Sequence, residues 1–108
     1  MRYKTRIMKD KSLHDIKQLA KKAHELTVRA VAEYSIEVDA IIVSRCQEEK
    51  RIESALDGML DFCFDKNMLE QYRKLCKYYH GINPSAAVEY VYAYRDVWDS
   101  RAKRFRKK

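Results

Sequence analysis

Residues that break regular structure are nearly missing from this chain: its 108 residues hold two glycines and one proline, where average usage gives about 13. Sandwiches, barrels and phosphate-cradling loops all draw on Gly and Pro for their turns. All-β, collagen-like, P-loop and dinucleotide-binding readings are therefore excluded. What remains is helix, and the apolar residues recur three and four apart as a helix requires. With 46% hydrophobic residues there is material for one modest core. The pattern predicts a single domain over 1–108, an all-α bundle of about four helices at approximately 12–34, 38–65, 68–80 and 84–106.

Local signals refine each element. Ser12 is an N-cap candidate with Asp15 behind it, and Leu13, Ile16, Leu19, Ala20, Ala23, Leu26, Ala30, Val31 and Tyr34 form one stripe. A second stripe runs through Val38, Ile41, Ile42, Ile52, Ala55, Leu56, Met59, Leu60 and Cys63. The break between them is expected at Ser35–Asp39, where a cap residue meets β-branched neighbours. The two stripes are nearly in phase, so one continuous first helix of about 50 residues, roughly 75 Å long, is the alternative. Such a rod needs a dimer to cover it. Arg45 and Glu49, four apart on the stripe, are expected to pair with each other. Gly58 stands alone inside a helix, where it costs about 1 kcal/mol relative to Ala, and marks a close helix passage.

Asn67-Met-Leu-Glu70 has the shape of a capping box for the third helix. Gly81 is placed to end it in the left-handed region, followed by Ile82. Asn83 and Pro84 then supply the cap and first position of the fourth. Residues 1–10 read as an extended or disordered basic arm and 101–108 as a basic tail.

The net charge of +7 is segregated. Residues 1–24 carry eight Lys/Arg against two acids, residues 25–70 five against eleven, and residues 71–108 ten against three. Basic ends flank an acidic middle. Phosphate is the natural counterpart of such ends, and Arg2, Lys4, Arg6, Arg101, Lys103, Arg104, Arg106, Lys107 and Lys108 are the candidate nucleic-acid contacts, to DNA or RNA. The turn Gly81-Ile-Asn-Pro-Ser-Ala-Ala-Val88 resembles that of a helix-turn-helix, in which the fourth helix would present Ser85, Ala86, Glu89, Tyr92 and Ala93 to a groove. Lys77 departs from that pattern, standing where a small residue is usual, and the reading face lacks Arg, Lys, Asn and Gln in its first two turns.

Glu49, Glu53, Asp57, Asp61 and Asp65 form an i,i+4 row of carboxylates that repel one another and call for a basic neighbour. Tyr90 and Tyr92 point to different sides of one helix, so at least one is expected to be exposed or at an interface, where Tyr is enriched. Glu49, Glu53, Asp57, Asp61, Tyr90 and Tyr92 are accordingly the candidate partner contacts, to a second copy or another protein. Cys46, Cys63 and Cys76 are read as reduced core thiols. Cys76 and His80 are four apart but lack the knuckle spacing of a zinc site. No catalytic, metal or cofactor motif stands out, and neither a signal-peptide pattern nor a membrane span is expected. The sequence thus reads as a cytoplasmic, non-enzymatic protein that acts by binding, with nucleic acid as the first partner class, protein as the second, and no small-molecule substrate indicated.

Overall fold

The computed structural model describes the backbone of residues 2–98 and the side chains of residues 13–98. The backbone forms four helices, α1 (Arg2–Val43), α2 (Glu49–Leu60), α3 (Lys66–His80) and α4 (Pro84–Trp98). This is the all-α bundle that the spacing of apolar residues predicts. Residues 101–108, including the six tail cations, lie outside the described residues, as do the side chains of Arg2, Lys4 and Arg6.

The first correction concerns Ser35–Asp39, which does not break the chain. α1 is one 42-residue helix, about 63 Å at 1.5 Å per residue, and it spans the 62 Å long dimension of the molecule. Weak propensity at β-branched positions costs only tenths of a kcal/mol each. Burial of Val38 and Ile41, both wholly inside the core, contributes about 1.5–3 kcal/mol each and wins. The backbone of residues 2–10, expected to be an extended or disordered arm, belongs to the same helix.

The expected second helix at 38–65 is corrected with it. Its first residues belong to α1, and the turn falls at residues 44–48. Here Cys46 N–H donates to the Ile41 carbonyl (3.0 Å) and Arg45 N–H to that of Ile42 (3.1 Å), the bond pair of a Schellman cap. Arg45 occupies its left-handed position with φ 55°, and Cys46 packs back on the core. Glycine, the residue that normally signals this cap, is not used. A side chain there costs on the order of 1 kcal/mol. Arg45→Gly is therefore expected to raise stability by about 0.5–1 kcal/mol, and Arg45→Val to lower it, as read from urea midpoints.

Arg45 is thus outside any helix, and the expected Arg45–Glu49 pair gives way to other bonds. Glu37 of α1 and Arg51 of α2 form a two-pronged ion pair (2.9 and 3.1 Å). Lys74 of α3 reaches Asp39 of α1 at 3.1 Å. The core lies where α1, α2 and α3 meet, built from Val38, Ile41, Ile52, Leu56, Met59, Met68, Tyr72, Leu75 and Tyr79. Gly58 marks a close passage, as expected: a Cβ there would stand 2.9 Å from Cζ of Tyr34 and closer still to its hydroxyl.

Two caps also differ from expectation. Asp65, not Asn67, caps α3, its carboxylate accepting from Met68 N–H at 3.0 Å. Gly81 has φ −70°, in the right-handed region, because the chain leaves α3 through tight bonds from Gly81 N–H to Tyr78 O (3.1 Å) and from Ile82 and Asn83 N–H to Tyr79 O (2.9 and 2.8 Å). Asn83 does cap α4, accepting from Ala86 N–H at 3.1 Å, with Pro84 as its first residue.

Candidate functional site

The core-facing stripe of α1 continues past the bundle. At about 100° per residue, Leu13, Ile16, Leu19, Ala20, Ala23 and Leu26 fall within the same arc of about 140° as Thr27, Val31, Tyr34, Val38 and Ile41. The second group is covered by the bundle; the first is not. Leu13, Ile16, Leu19 and Leu26 are 52–66% exposed. A polar face surrounds them, carrying Lys17, Lys21 and Lys22 against Asp15 and Glu25. The transition comes at Thr27, 5% exposed, whose hydroxyl donates back to the Ala23 carbonyl at 2.9 Å.

Because this face points to the side on which the bundle stands, the bundle limits what can cover it. A second helix, about 10–12 Å across, fits alongside this segment of about 20 Å.

The carboxylate row is engaged from within. Tyr79, whose ring is wholly buried, donates its hydroxyl to Glu53 (2.5 Å), with Glu49 at 3.2 Å. Tyr90 donates to Asp57 at 2.8 Å, and Asn83 Nδ2 donates to Glu49 at 3.0 Å. Phenols from α3 and α4 thus meet Glu49, Glu53 and Asp57 of the row, while Asp65 caps α3. Burial and the adjacent carboxylates push the phenols of Tyr79 and Tyr90 above the ordinary tyrosine value. Of the candidate partner contacts, Glu49, Glu53, Asp57 and Tyr90 are therefore tied into the fold, while Asp61 and Tyr92 are exposed. Sequence spacing could place the acids on one face but not show that tyrosines from α3 and α4 would reach them.

Between α3 and α4 lies a half-open groove of about 550 Å³. Its floor is apolar and its rims carry cations, Arg73 and Lys77 along α3 and Arg95 on α4, with the imidazole of His80 beside them. The ion pairs among the described residues are Arg51–Glu37 and Lys74–Asp39, so none of these three cations is neutralised by one. Sequence reading missed this groove, since its lining alternates between two helices and follows no motif.

The thiols of Cys63 and Cys76 are buried and unpaired. Desolvation pushes Cys63 up to about 12 and Cys76 up to about 11, so both are protonated and inert at neutral pH. Among the described residues no group of three or more His, Cys, Asp or Glu could hold a metal ion, and no helix is long and apolar enough to cross a membrane. The start of α4, the end a recognition helix presents to a groove, is tied to Glu49 through Asn83. Comparison with family models, curated proteins and solved structures finds no match to the chain.

Proposed function

We propose that the protein acts by binding, as a helical docking module in which the uncovered segment of α1 at residues 13–26 receives an acidic amphipathic helix from another protein. The observation that carries this reading is the continuation of the core stripe into Leu13, Ile16, Leu19 and Leu26, which the bundle leaves bare. Exposed apolar area of this kind marks interaction sites, and helix anchors at i, i+3, i+4 and i+7 are a standard recognition mode.

Charge selects the occupant. Residues 2–29 carry nine Lys/Arg against three acids, so pairing with a second copy would set two cationic helices side by side. A glutamate-flanked helix removes that repulsion and adds steering. The acidic row of a second copy is a poorer match, since Glu49, Glu53 and Asp57 already take phenol hydroxyls and Asp65 caps α3, which leaves Asp61 alone. A nucleic-acid role rests on the candidate contacts at residues 2–6 and 101–108, whose side chains lie outside those described, and the exposed residues of the α4 reading face are Ser85, Glu89 and Tyr92, none of them cationic.

The probe is a synthetic helix of about three heptads with Ile at a, Leu at d and Glu at e and g, followed by fluorescence anisotropy, beside the same peptide with Lys at e and g. The acidic peptide is expected to bind and the basic one not. Leu19→Glu should weaken binding about ten- to a hundredfold, the equivalent of losing one buried leucine. Equal binding of both peptides, or binding indifferent to Leu19→Glu, would overturn the proposal. So would light scattering that shows a wild-type dimer which Leu19→Glu dissolves, because the occupant would then be a second copy.

A further inference from the structure

The groove between α3 and α4 supports a second inference, independent of the docking face. We propose that it is a binding site for a long-chain carboxylate. Its floor consists of Leu69, Cys76, Ala87, Val88, Val91 and the ring of Tyr94, resting on Tyr72. The volume of about 550 Å³ falls within the usual range for small-ligand sites, about 300–1,000 Å³.

Three features select the ligand. First, the floor is poor in hydrogen-bonding groups. The Tyr72 hydroxyl is committed to the Tyr90 carbonyl at 2.6 Å, and the Cys76 thiol stays protonated. A sugar or a nucleobase would leave its polar edges unsatisfied there, at a cost of about 1–3 kcal/mol per group, whereas a hydrocarbon chain loses nothing. Second, the rim is cationic on both sides and no carboxylate lines the groove. Arg73, Lys77 and His80 follow one another at i, i+4 and i+7 on one edge of α3, and the guanidinium groups of Arg73 and Arg95 offer forked donors suited to a carboxylate. Among the described residues Arg51 and Lys74 have carboxylate partners, and the rim cations Arg73, Lys77 and Arg95 have none. Third, the chain beyond Trp98 carries six Lys/Arg against one acid, so the rim repels the protein's own terminus as an occupant.

A ligand that places its tail over Val88 and Val91 and its head at the rim covers apolar side chains that are 38% and 44% exposed. The rim then supplies charge-assisted hydrogen bonds to the head group, stronger than neutral ones. Palmitate below its micellar concentration is the probe, titrated calorimetrically into the full chain, with hexadecanol as the uncharged control. Methyl resonances of Val88 and Val91 report the location. Palmitate is expected to bind at one site and shift both valines. Arg73→Glu with Lys77→Glu should weaken it by about tenfold or more, and Val91→Trp, which fills the groove, should abolish it. Both rim residues are exposed, and the helical circular dichroism of the variants is checked alongside.

The control that separates this site from the docking face is Leu19→Glu, which should leave palmitate binding unchanged. Loss of palmitate binding in Leu19→Glu, with the groove variants unaffected, would assign the ligand to α1 and overturn the proposal. Hexadecanol binding as tightly as palmitate would overturn the role of the rim. Failure of the acidic peptide to bind α1 leaves the groove result standing, since the two probes read different surfaces.

Discussion

Raising the pH from 8 to 11 is expected to unfold the protein cooperatively. The thiols of Cys63 and Cys76 titrate near 9 in an unfolded chain, but desolvation holds them up at about 12 and about 11 in the fold. Between those values the unfolded state binds fewer protons than the folded one, so stability falls as pH rises. Below pH 9 their contribution is fully present. Each thiol removes about 1.4 kcal/mol per pH unit across its window, and both are buried, at 3% and 6% exposure. By pH 11 the pair has removed on the order of a few kcal/mol, a large share of the stability of a small domain. The phenols of Tyr72, Tyr79 and Tyr90 are raised as well, chiefly by burial, and they steepen the loss above pH 10. Helical circular dichroism and tyrosinate absorbance followed together should change in one transition. Helix content unchanged to pH 11.5, or Cys63 and Cys76 reacting with a thiol reagent at pH 9 in the intact fold, would contradict this account.

Tyr79→Ala is expected to cost about 3–5 kcal/mol, the usual range for emptying a buried aromatic site, and to leave little folded protein at 37 °C. The ring is wholly buried at the junction of α1, α2 and α3. Tyr79→Phe separates packing from the hydroxyl. It keeps the ring and removes the bonds to Glu49 and Glu53, whose carboxylates are half-buried or exposed and can turn to water. The expected loss is about 1 kcal/mol. Urea titrations with unchanged slope give both numbers. A Phe variant as unstable as the Ala variant would show that the hydroxyl lattice, and not the ring, holds α3 to α2.

Helix content and core were legible because apolar periodicity acts over four residues at a time. Val38, Ile41, Leu56, Met59, Tyr72 and Leu75 all fall on expected faces. Boundaries were less legible where the deciding interaction is remote. Ser35 and Asp39 have the chemistry of a helix start, yet the helix runs through them because α2 and α3 cover the far side. Arg45 has no sequence mark of a helix end, and its left-handed conformation is the one that closes the bond from Cys46 N–H to the Ile41 carbonyl and turns the half-buried Cys46 back onto the core. Asp65 out-competes Asn67 as a cap because α3 begins two residues earlier. The carboxylate row was visible as a spacing; its phenol partners, 26 to 33 residues away in sequence, were not. The proline and Asn83 were read correctly because a cap and first-turn pair is complete within four residues.

The continuity of α1 also bears on how its free half becomes ordered. An isolated helix first has to form a nucleus, a step with an equilibrium constant near 10⁻³. The packed segment from Thr27 to Val43 already provides that nucleus. Residues 13–26 then add to it one at a time, each near neutral in free energy, and the order of this half is graded instead of all-or-none. Amide exchange should therefore slow progressively from Leu13 towards Thr27. An incoming helix would not have to fold its target; it would only advance an existing front.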